Sequence, residues 1–374
     1  MNYLSGKGNK ILSRREVEIY AFCLLFLWKY PILVTIGVYV RKEKEFMLLL
    51  SRNDIKSVFT MGDAVDAVKE AFRAFSAGES EVPLRTNIQA PTHGGAFLFM
   101  PSYVANLDTA CLKVVNVFPK NIDKGLPTTP AQVLLIDGTT GVVSAVLDGT
   151  YVTQLRTGAA SGAAFDVLAR KECRKGALIG TGGQAATQLE AMLAVRELEE
   201  VKVYDLNRER LEAFVAQMNE ELAAYGAKIL AADSSDDAVE DADLLICVTP
   251  SPKPVFDGTK VKAGATVSCV GSYQPHMQEM DPKILTRVSK IYFDSVDAVL
   301  SEAGDILIPL ADGTISKEDF TGDLGDVLLG KLGARENEEE IIVFKTVGIG
   351  TQDLMAAKAI YEKAKEAGVG TQWC

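Results

Sequence analysis

The apolar positions of this 374-residue chain change period near its middle. Between Met61 and Ala77, residues Ala64, Val65, Val68, Ala71, Phe72 and Phe75 recur at helical spacing and predict a helix with one buried face. A short strand over Met47–Leu50 precedes it. Runs of strand character follow at Arg85–Gln89, Gly95–Ser102, Thr109–Asn116, Val133–Asp137 and Val142–Asp148. The last two flank Gly138-Thr-Thr-Gly141, a hairpin turn. This half reads as a mostly antiparallel sheet with a helix on it. The small residues of Thr157–Ala164 predict a helix packed closely against a neighbour.

From about Lys175 the pattern becomes short apolar strands alternating with helices. Strands are expected at Ala177–Ile179, Val201–Asp205, Lys228–Ala231, Leu244–Val248 and Thr266–Val270. Helices are expected at Ala185–Arg196 and Glu209–Tyr225, with an acidic, solvated one at Ser234–Ala242. Such alternation implies a parallel, doubly wound sheet. Ile341–Lys345 and a helix over Asp353–Ala367 end the chain. The fold class is α/β: a Rossmann-type doubly wound parallel sheet domain plus an α+β substrate-binding and dimerisation domain. The expected boundaries are an extension over 1–46, a substrate-binding and dimerisation domain over 47–170, and a dinucleotide-binding domain over 171–335. A segment over 336–374 is expected to return to the first domain.

The extension departs from this plan. Ile19–Val40 holds 22 residues with a single charge, Lys29, and basic residues flank it. Its length and hydropathy meet the criterion for a membrane span, while a central lysine costs roughly 2.5–3.5 kcal/mol there. The alternatives are a dispensable upstream extension, with Met47 opening the folded protein, or an anchor. Membrane association is expected only in the second case.

Composition narrows the chemistry. Hydrophobic residues make up 48% and charged residues 24%, so the chain folds rather than staying disordered. A net charge of −11 argues against general binding to nucleic acid or an anionic surface. Six cysteines without a CxxC pair give neither a zinc knuckle nor a disulfide scaffold and fit a reducing, cytoplasmic setting. Only two histidines occur, His93 in a turn-like loop and His276, so no metal site is expected and acid–base work falls to Lys, Arg, Asp, Glu or Tyr.

Gly180-Thr-Gly-Gly-Gln-Ala185 follows a strand, opens a helix, and fits G-x-G-x-x-A. Gly180 makes the tight turn, Gly182 admits a pyrophosphate to the backbone, and Ala185 permits close helix packing. The helix N-terminus then offers free N–H groups to phosphates. Asp205 ends the next strand, where an acid suits ribose hydroxyls and favours NAD over NADP. Asn207 and Arg208 follow directly, and an arginine there could accept a 2′-phosphate, so NADP stays open. In the first half Arg85, Lys113 and Arg156 each stand beside strand-like or small-residue sequence. Lys113, between Leu112 and Val114, must sit in a pocket or on an edge.

In their order, these pieces resemble the ornithine cyclodeaminase/μ-crystallin family from about Met47 to Ala367. The matching elements are Pro83-x-Arg85, Lys113-x-x-Asn116, Thr128 ahead of Pro130, Arg156-Thr-Gly-Ala159 and Gly180–Ala185. Val248-Thr-Pro250, Gly271–Asp281, and Lys345-Thr-Val-Gly348 with Asp353 complete the set. The resemblance implies that Arg85 and Lys113 hold a substrate carboxylate, that Thr128 lines the pocket, and that Arg156 lies between substrate and cofactor phosphate. It implies dinucleotide contacts from Gly183, Gln184, Asp205, Thr249, Val270 and Thr346, and a homodimer formed through the first domain.

One departure carries chemical weight. Cyclodeaminases place a catalytic aspartate two residues before a proline that aligns with Pro275, and here that position is Tyr273. A neutral phenol is a poor base at neutral pH, and losing a positioned acid–base group costs about 10²–10⁴ in rate. A cofactor-contacting lysine of cyclodeaminases is replaced by Met277. The reading is therefore an NAD(P)-dependent reductase of a cyclic or open α-imino acid such as pyrroline-2-carboxylate. Hydride goes to the C=N carbon beside a carboxylate, and Lys113, Tyr273 or a water supplies the proton. The alternatives are ornithine cyclodeamination, an alanine-type amino-acid dehydrogenase, and a μ-crystallin-like ligand or nucleotide binder.

Overall fold

The computed structural model describes residues 46–373, so the apolar stretch Ile19–Val40 and Cys374 lie outside the described residues. Along the chain come β1 (Met47–Leu50), α1 (Arg52–Val58), α2 (Met61–Ser76), β2 (Ser80–Glu81), β3 (Thr86–Ala90), β4 (Gly95–Val104) and β5 (Thr109–Val117). Next are β6 (Ala131–Asp137), β7 (Val143–Asp148) and α3 (Gly149–Leu168). The second run holds β8 (Lys175–Ile179), α4 (Ala185–Val195), β9 (Glu200–Tyr204), α5 (Arg208–Glu221), β10 (Lys228–Ala231), α6 (Ser235–Val239), β11 (Leu244–Cys247) and β12 (Thr266–Cys269). It continues with α7 (Pro282–Leu285), β13 (Lys290–Phe293), α8 (Val296–Glu302), α9 (Gly304–Ala311), β14 (Gly322–Asp323), α10 (Leu324–Leu328) and β15 (Ile342–Lys345). The last elements are α11 (Gly350–Ala367) and β16 (Thr371–Trp373).

Two eight-stranded sheets result. The first has the order β16-β1-β7-β6-β5-β4-β2, with β3 also paired to β4. Its interior is antiparallel, as its alternating pattern predicts, while β1 joins β7 in parallel. The β6–β7 hairpin is held by Asp137, whose Oδ1 accepts from the Thr139 and Thr140 N–H groups at 3.0 and 2.8 Å. The second sheet is wholly parallel, in the order β10-β9-β8-β11-β12-β15-β13-β14. Its strand order reverses between β8 and β11, where an open α/β sheet leaves a crevice at its carboxyl edge.

Helix α2 starts on a reciprocal cap between Thr60 and Asp63 and buries Ala64, Val65, Val68, Ala71 and Phe72, the predicted face. Helix α3 is buried nearly all round because its small residues let α4 approach. A Cβ on Gly158 would fall 2.3 Å from the Thr187 carbonyl oxygen. One continuous core joins the helices of both sheets, with Phe72 and Phe344 edge to face at 6.2 Å.

Several elements carry no usable period in the sequence. Strand β13 is four residues long, β14 two, and α8 and α9 follow each other within ten residues. Strand β15 stands inside the second sheet between β12 and β13, and the chain crosses to the first only with α11 and β16. The acidic stretch forms only a short helix. Asp243 at its end is buried rather than solvated, accepting from the Arg174 and Lys175 N–H groups and pairing with Lys262 at 2.7 Å. Among the described residues no helix is long and apolar enough to cross a membrane.

Candidate active site

Lys113 lies mid-strand on β5, paired with Met100 and Val133 on its neighbours, and is fully buried. An isolated ammonium there would be costly. Asp353, in the first turn of α11 and also fully buried, takes Lys113 Nζ on Oδ2 at 2.7 Å and Arg156 Nε on Oδ1 at 3.0 Å. Arg156 also donates to Gln352 Oε1 at 2.9 Å. One carboxylate thus serves two cations. Burial, and then Arg156 beside it, pull the Lys113 ammonium down to about 7 against the opposing pull of Asp353. Burial works against the Asp353 carboxylate, but Arg156 and Lys113 outweigh it and hold the group below its usual range.

Arg85 leads into β3 and adds a third cation, close enough to depress Lys113 further. Its Nε lies 2.9 Å from Glu302 Oε1 at the end of α8, and its Nη2 donates to the Gly348 carbonyl at 3.0 Å. That carbonyl is itself fixed. Buried Asp294 accepts from Thr346 Oγ1 at 2.6 Å and from the Val347 and Gly348 N–H groups at 3.0 and 2.6 Å. Arg85, Arg156 and Lys113 thus converge on one region, and guanidinium forks match a carboxylate in shape.

At the carboxyl edge of the second sheet, Gly180 adopts φ +102°, and a Cβ there would meet Thr249 Cγ2 at 2.8 Å. A Cβ on Gly182 or Gly183 would meet nothing within 4 Å, so the loop's outer side has room for a group against the backbone. No side chain caps the N-terminus of α4 at Gln184 before Ala185, so its first N–H groups are available to an anion. Gln154 Nε2 donates to the Gly183 carbonyl at 2.8 Å and ties the loop to α3. The buried Gln352 Nε2 has no hydrogen-bond partner and is a donor left for a ligand oxygen. These features fit a dinucleotide.

Asp205 follows β9, and its carboxylate accepts from the Thr181 N–H and hydroxyl at 2.9 and 2.8 Å and from the Asn207 N–H at 2.9 Å. Arg210 Nη2 reaches both of its oxygens, at 2.6 and 2.7 Å. The guanidinium beside Asp205 is therefore that of Arg210, which sequence reasoning did not single out. Arg208 turns to Glu212 at 2.7 Å, and Asn207 caps α5 by accepting from the Arg210 N–H. Ribose hydroxyls would share Asp205 with the half-exposed Arg210.

Of the other predicted residues, Thr249 and Val270 sit just past β11 and β12, and Thr346 just past β15, beside the crevice. Tyr273 is half-buried in the loop after β12, and burial pushes its phenol up. Thr128 is part-buried, its carbonyl accepting from the Phe118 N–H at 2.8 Å, apart from the charged cluster in its hydrogen bonding. His93 and His276 are exposed. Sequence reasoning carried Asp353 only as part of a motif and missed Asp294, Glu302 and Gln352. For Asp294 and Gln352 the available signal was an acid following an apolar strand and an amide opening a helix, while Glu302 closes a short helix and carried none.

The crevice, its glycine loop and the buried charged cluster together fit a dinucleotide-dependent class of α/β protein. The chain belongs to the ornithine cyclodeaminase/mu-crystallin family, whose sequence profile matches residues 45–368. It is 36% identical over 324 residues to a Delta(1)-pyrroline-2-carboxylate reductase of Bacillus cereus, covering 87% of this chain and 98% of that protein. Its fold matches the Delta(1)-pyrroline-2-carboxylate reductase of Thermococcus litoralis, solved with NADH and L-proline. That match has a TM-score of 0.83 and 39% identity over 87% of this chain and 99% of that one. An archaeal alanine dehydrogenase dimer with bound NAD matches with a TM-score of 0.80 and 35% identity over 88% and 99% of the two chains.

Proposed function

We propose that this protein reduces a cyclic α-imino acid, with Δ1-pyrroline-2-carboxylate as the substrate and proline as the product. The observation that carries this reading is the Lys113–Asp353–Arg156 cluster with Arg85 beside it, in a family member whose position 273 is a tyrosine. NADH bound at the glycine loop supplies the hydride. Arg85 and Lys113 bind the substrate carboxylate, and Arg156 bridges toward the phosphates. Thr128 lines the pocket. Gly180, Gly182, Gly183, Gln184, Ala185, Asp205, Thr249, Val270 and Thr346 form the cofactor cradle, with Arg210 rather than Arg208 at the adenosine end.

Lys113 is the proton donor in this reading. An ammonium drawn down to about 7 is half protonated near neutrality and gives its proton readily to the imine nitrogen. The phenol of Tyr273 is displaced the other way and is the weaker acid. Cyclodeamination would need a base to manage the ornithine amine, and a phenol held neutral does not serve.

We further infer a homodimer. Ile88 and Phe97 pair across β3 and β4, and both are exposed, as are Leu84, Ile122 and Leu126. Such apolar exposure suits a second copy of this chain. The assignment to a reducing, cytoplasmic compartment is supported by four free, buried cysteines among the described residues.

The test follows NADH and NADPH absorbance with pyrroline-2-carboxylate, piperideine-2-carboxylate and pyruvate plus ammonia, and both absorbance and ammonia release with ornithine. Fast oxidation with the cyclic imines and silence with ornithine is the expected result. Turnover confined to pyruvate plus ammonia would make the protein an alanine dehydrogenase. Release of ammonia from ornithine would restore the cyclodeaminase.

A further inference from the structure

A second buried charged cluster lies under the carboxyl edge of the parallel sheet, and the proposed reaction does not use it. Glu279, Asp305 and Lys345 are all fully buried. Lys345 ends β15 and is paired in register with Cys269 at the end of β12. Its Nζ stands 3.1 Å from Asp305 Oδ2, while Asp305 Oδ1 accepts from the Met280 N–H at 2.9 Å. Ligand atoms of Cys269, Glu279 and Asp305 lie within 4.8 Å of one another, a spacing that suits a cation, and the Lys345 ammonium provides the positive charge there.

Glu279 spans the two loops that flank the crevice. Its Oε2 accepts from the Thr249 N–H at 2.6 Å and from the Thr249 hydroxyl at 3.1 Å, and its Oε1 accepts from the Gly271 N–H at 2.5 Å. The first loop leaves β11 and the second leaves β12, next to the switch point where a dinucleotide lies in such sheets. Because the Thr249 hydroxyl donates inward, its lone pairs face outward and can accept from an amide. The same anchor closes the loop that carries Tyr273.

We propose that Glu279 is a positioning residue for the nicotinamide end of the cofactor, and that the surplus negative charge of its cluster favours the oxidised, cationic cofactor over the neutral reduced one. The inference rests on the NAD reading above. Two carboxylates and one ammonium carry a net negative charge in a region of low dielectric, where charge acts at longer reach than in water. The charged and titratable groups facing Glu279 are Asp305 on α9, Lys345 on β15, Cys269 on β12 and Cys247 on β11. Burial, then Asp305, push the Glu279 carboxyl well above its usual range, so its charge changes near neutral pH. Lys345 is held charged, because Asp305 and Glu279 outweigh its burial.

The experiment measures dissociation constants of NAD⁺ and NADH by calorimetry and NADH fluorescence, across neutral pH, for wild type and Glu279→Gln. Glu279→Gln weakens NAD⁺ by about tenfold, the equivalent of one pKa unit of interaction, and NADH by much less. Wild-type preference for NAD⁺ declines as pH falls and Glu279 takes up a proton, and the substitution removes most of that slope. Glu279→Asp keeps the charge and retains the preference for NAD⁺ while loosening the loops. Equal weakening of both ligands by Glu279→Gln, or an unaltered pH slope, overturns the proposal. If that substitution prevents folding, Lys113→Met removes another group that titrates near 7, the one in the substrate-side cluster. A preference that still varies with pH in Lys113→Met supports the proposal, and a flat one overturns it. Wild type that binds neither nucleotide defeats the NAD reading itself and this inference with it.

Discussion

The molecule holds two buried ionic clusters of opposite sign. In the pocket of the first sheet, one acid, Asp353, serves two cations, Lys113 and Arg156. Beneath the edge of the second sheet, one cation, Lys345, serves two acids, Asp305 and Glu279. Buried ion pairs are weak devices for stability, since desolvation consumes most of the attraction. On the proposed reading their value lies in the uncompensated charge: positive where a carboxylate would bind, negative where a nicotinamide would become cationic. The pairing teaches that each half of the site is built for one charged partner.

The largest expected effect comes from emptying the positive cluster. On the proposed reading Lys113→Met removes both the proton donor and a carboxylate contact, and kcat/KM for pyrroline-2-carboxylate should fall by about 10²–10⁴. In wild type, kcat/KM should decline as pH rises through about 7, because the donor must carry its proton. A basic limb that survives in Lys113→Met would assign the proton to another group.

The clusters should break with opposite pH signatures. Asp353→Asn strands two cations and should cost about 3–5 kcal/mol of stability. Lys113 is already lowered in the folded state, so this loss is greatest at low pH and eases as pH rises and the ammonium deprotonates. Lys345→Met strands two carboxylates at a similar cost. Burial and then Asp305 raise the Glu279 carboxyl above its unfolded value, so stability is retained at low pH and lost as pH rises through its folded value. Thermal melts of both variants across pH decide the matter, and parallel slopes would undo the comparison.

Smaller effects sharpen the picture. Glu302→Gln leaves Arg85 without its acid at a part-exposed pair and should change KM by about fivefold or less. Its preserved contact with the Gly348 carbonyl still holds the guanidinium. Tyr273→Phe should leave kcat/KM near wild type. A large drop there would make the phenol, not Lys113, the acid.

Much of this was legible in the residues. The period change near Lys175 separated the two sheets, and Gly180–Ala185 with Asp205 located the crevice through local backbone rules. Lys113 was legible as an anomaly, a charge inside an apolar strand. Its partner was not, because Asp353 lies 240 positions along the chain and only tertiary packing brings them together. The same holds for Glu302 with Arg85, and for Glu279, which lies in an irregular loop. Arg208 looked like the arginine beside Asp205, but helical geometry turns Arg210 there instead. Strand β13 was missed because four residues, only three of them apolar, carry no period.

The most direct measurement of the central claim uses NADH deuterated at the transferring carbon, with pyrroline-2-carboxylate, and examines the product by NMR. The account predicts proline carrying one deuterium at Cα, with no ammonia released. Unlabelled proline, or proline and ammonia formed only when ornithine is supplied, would contradict it.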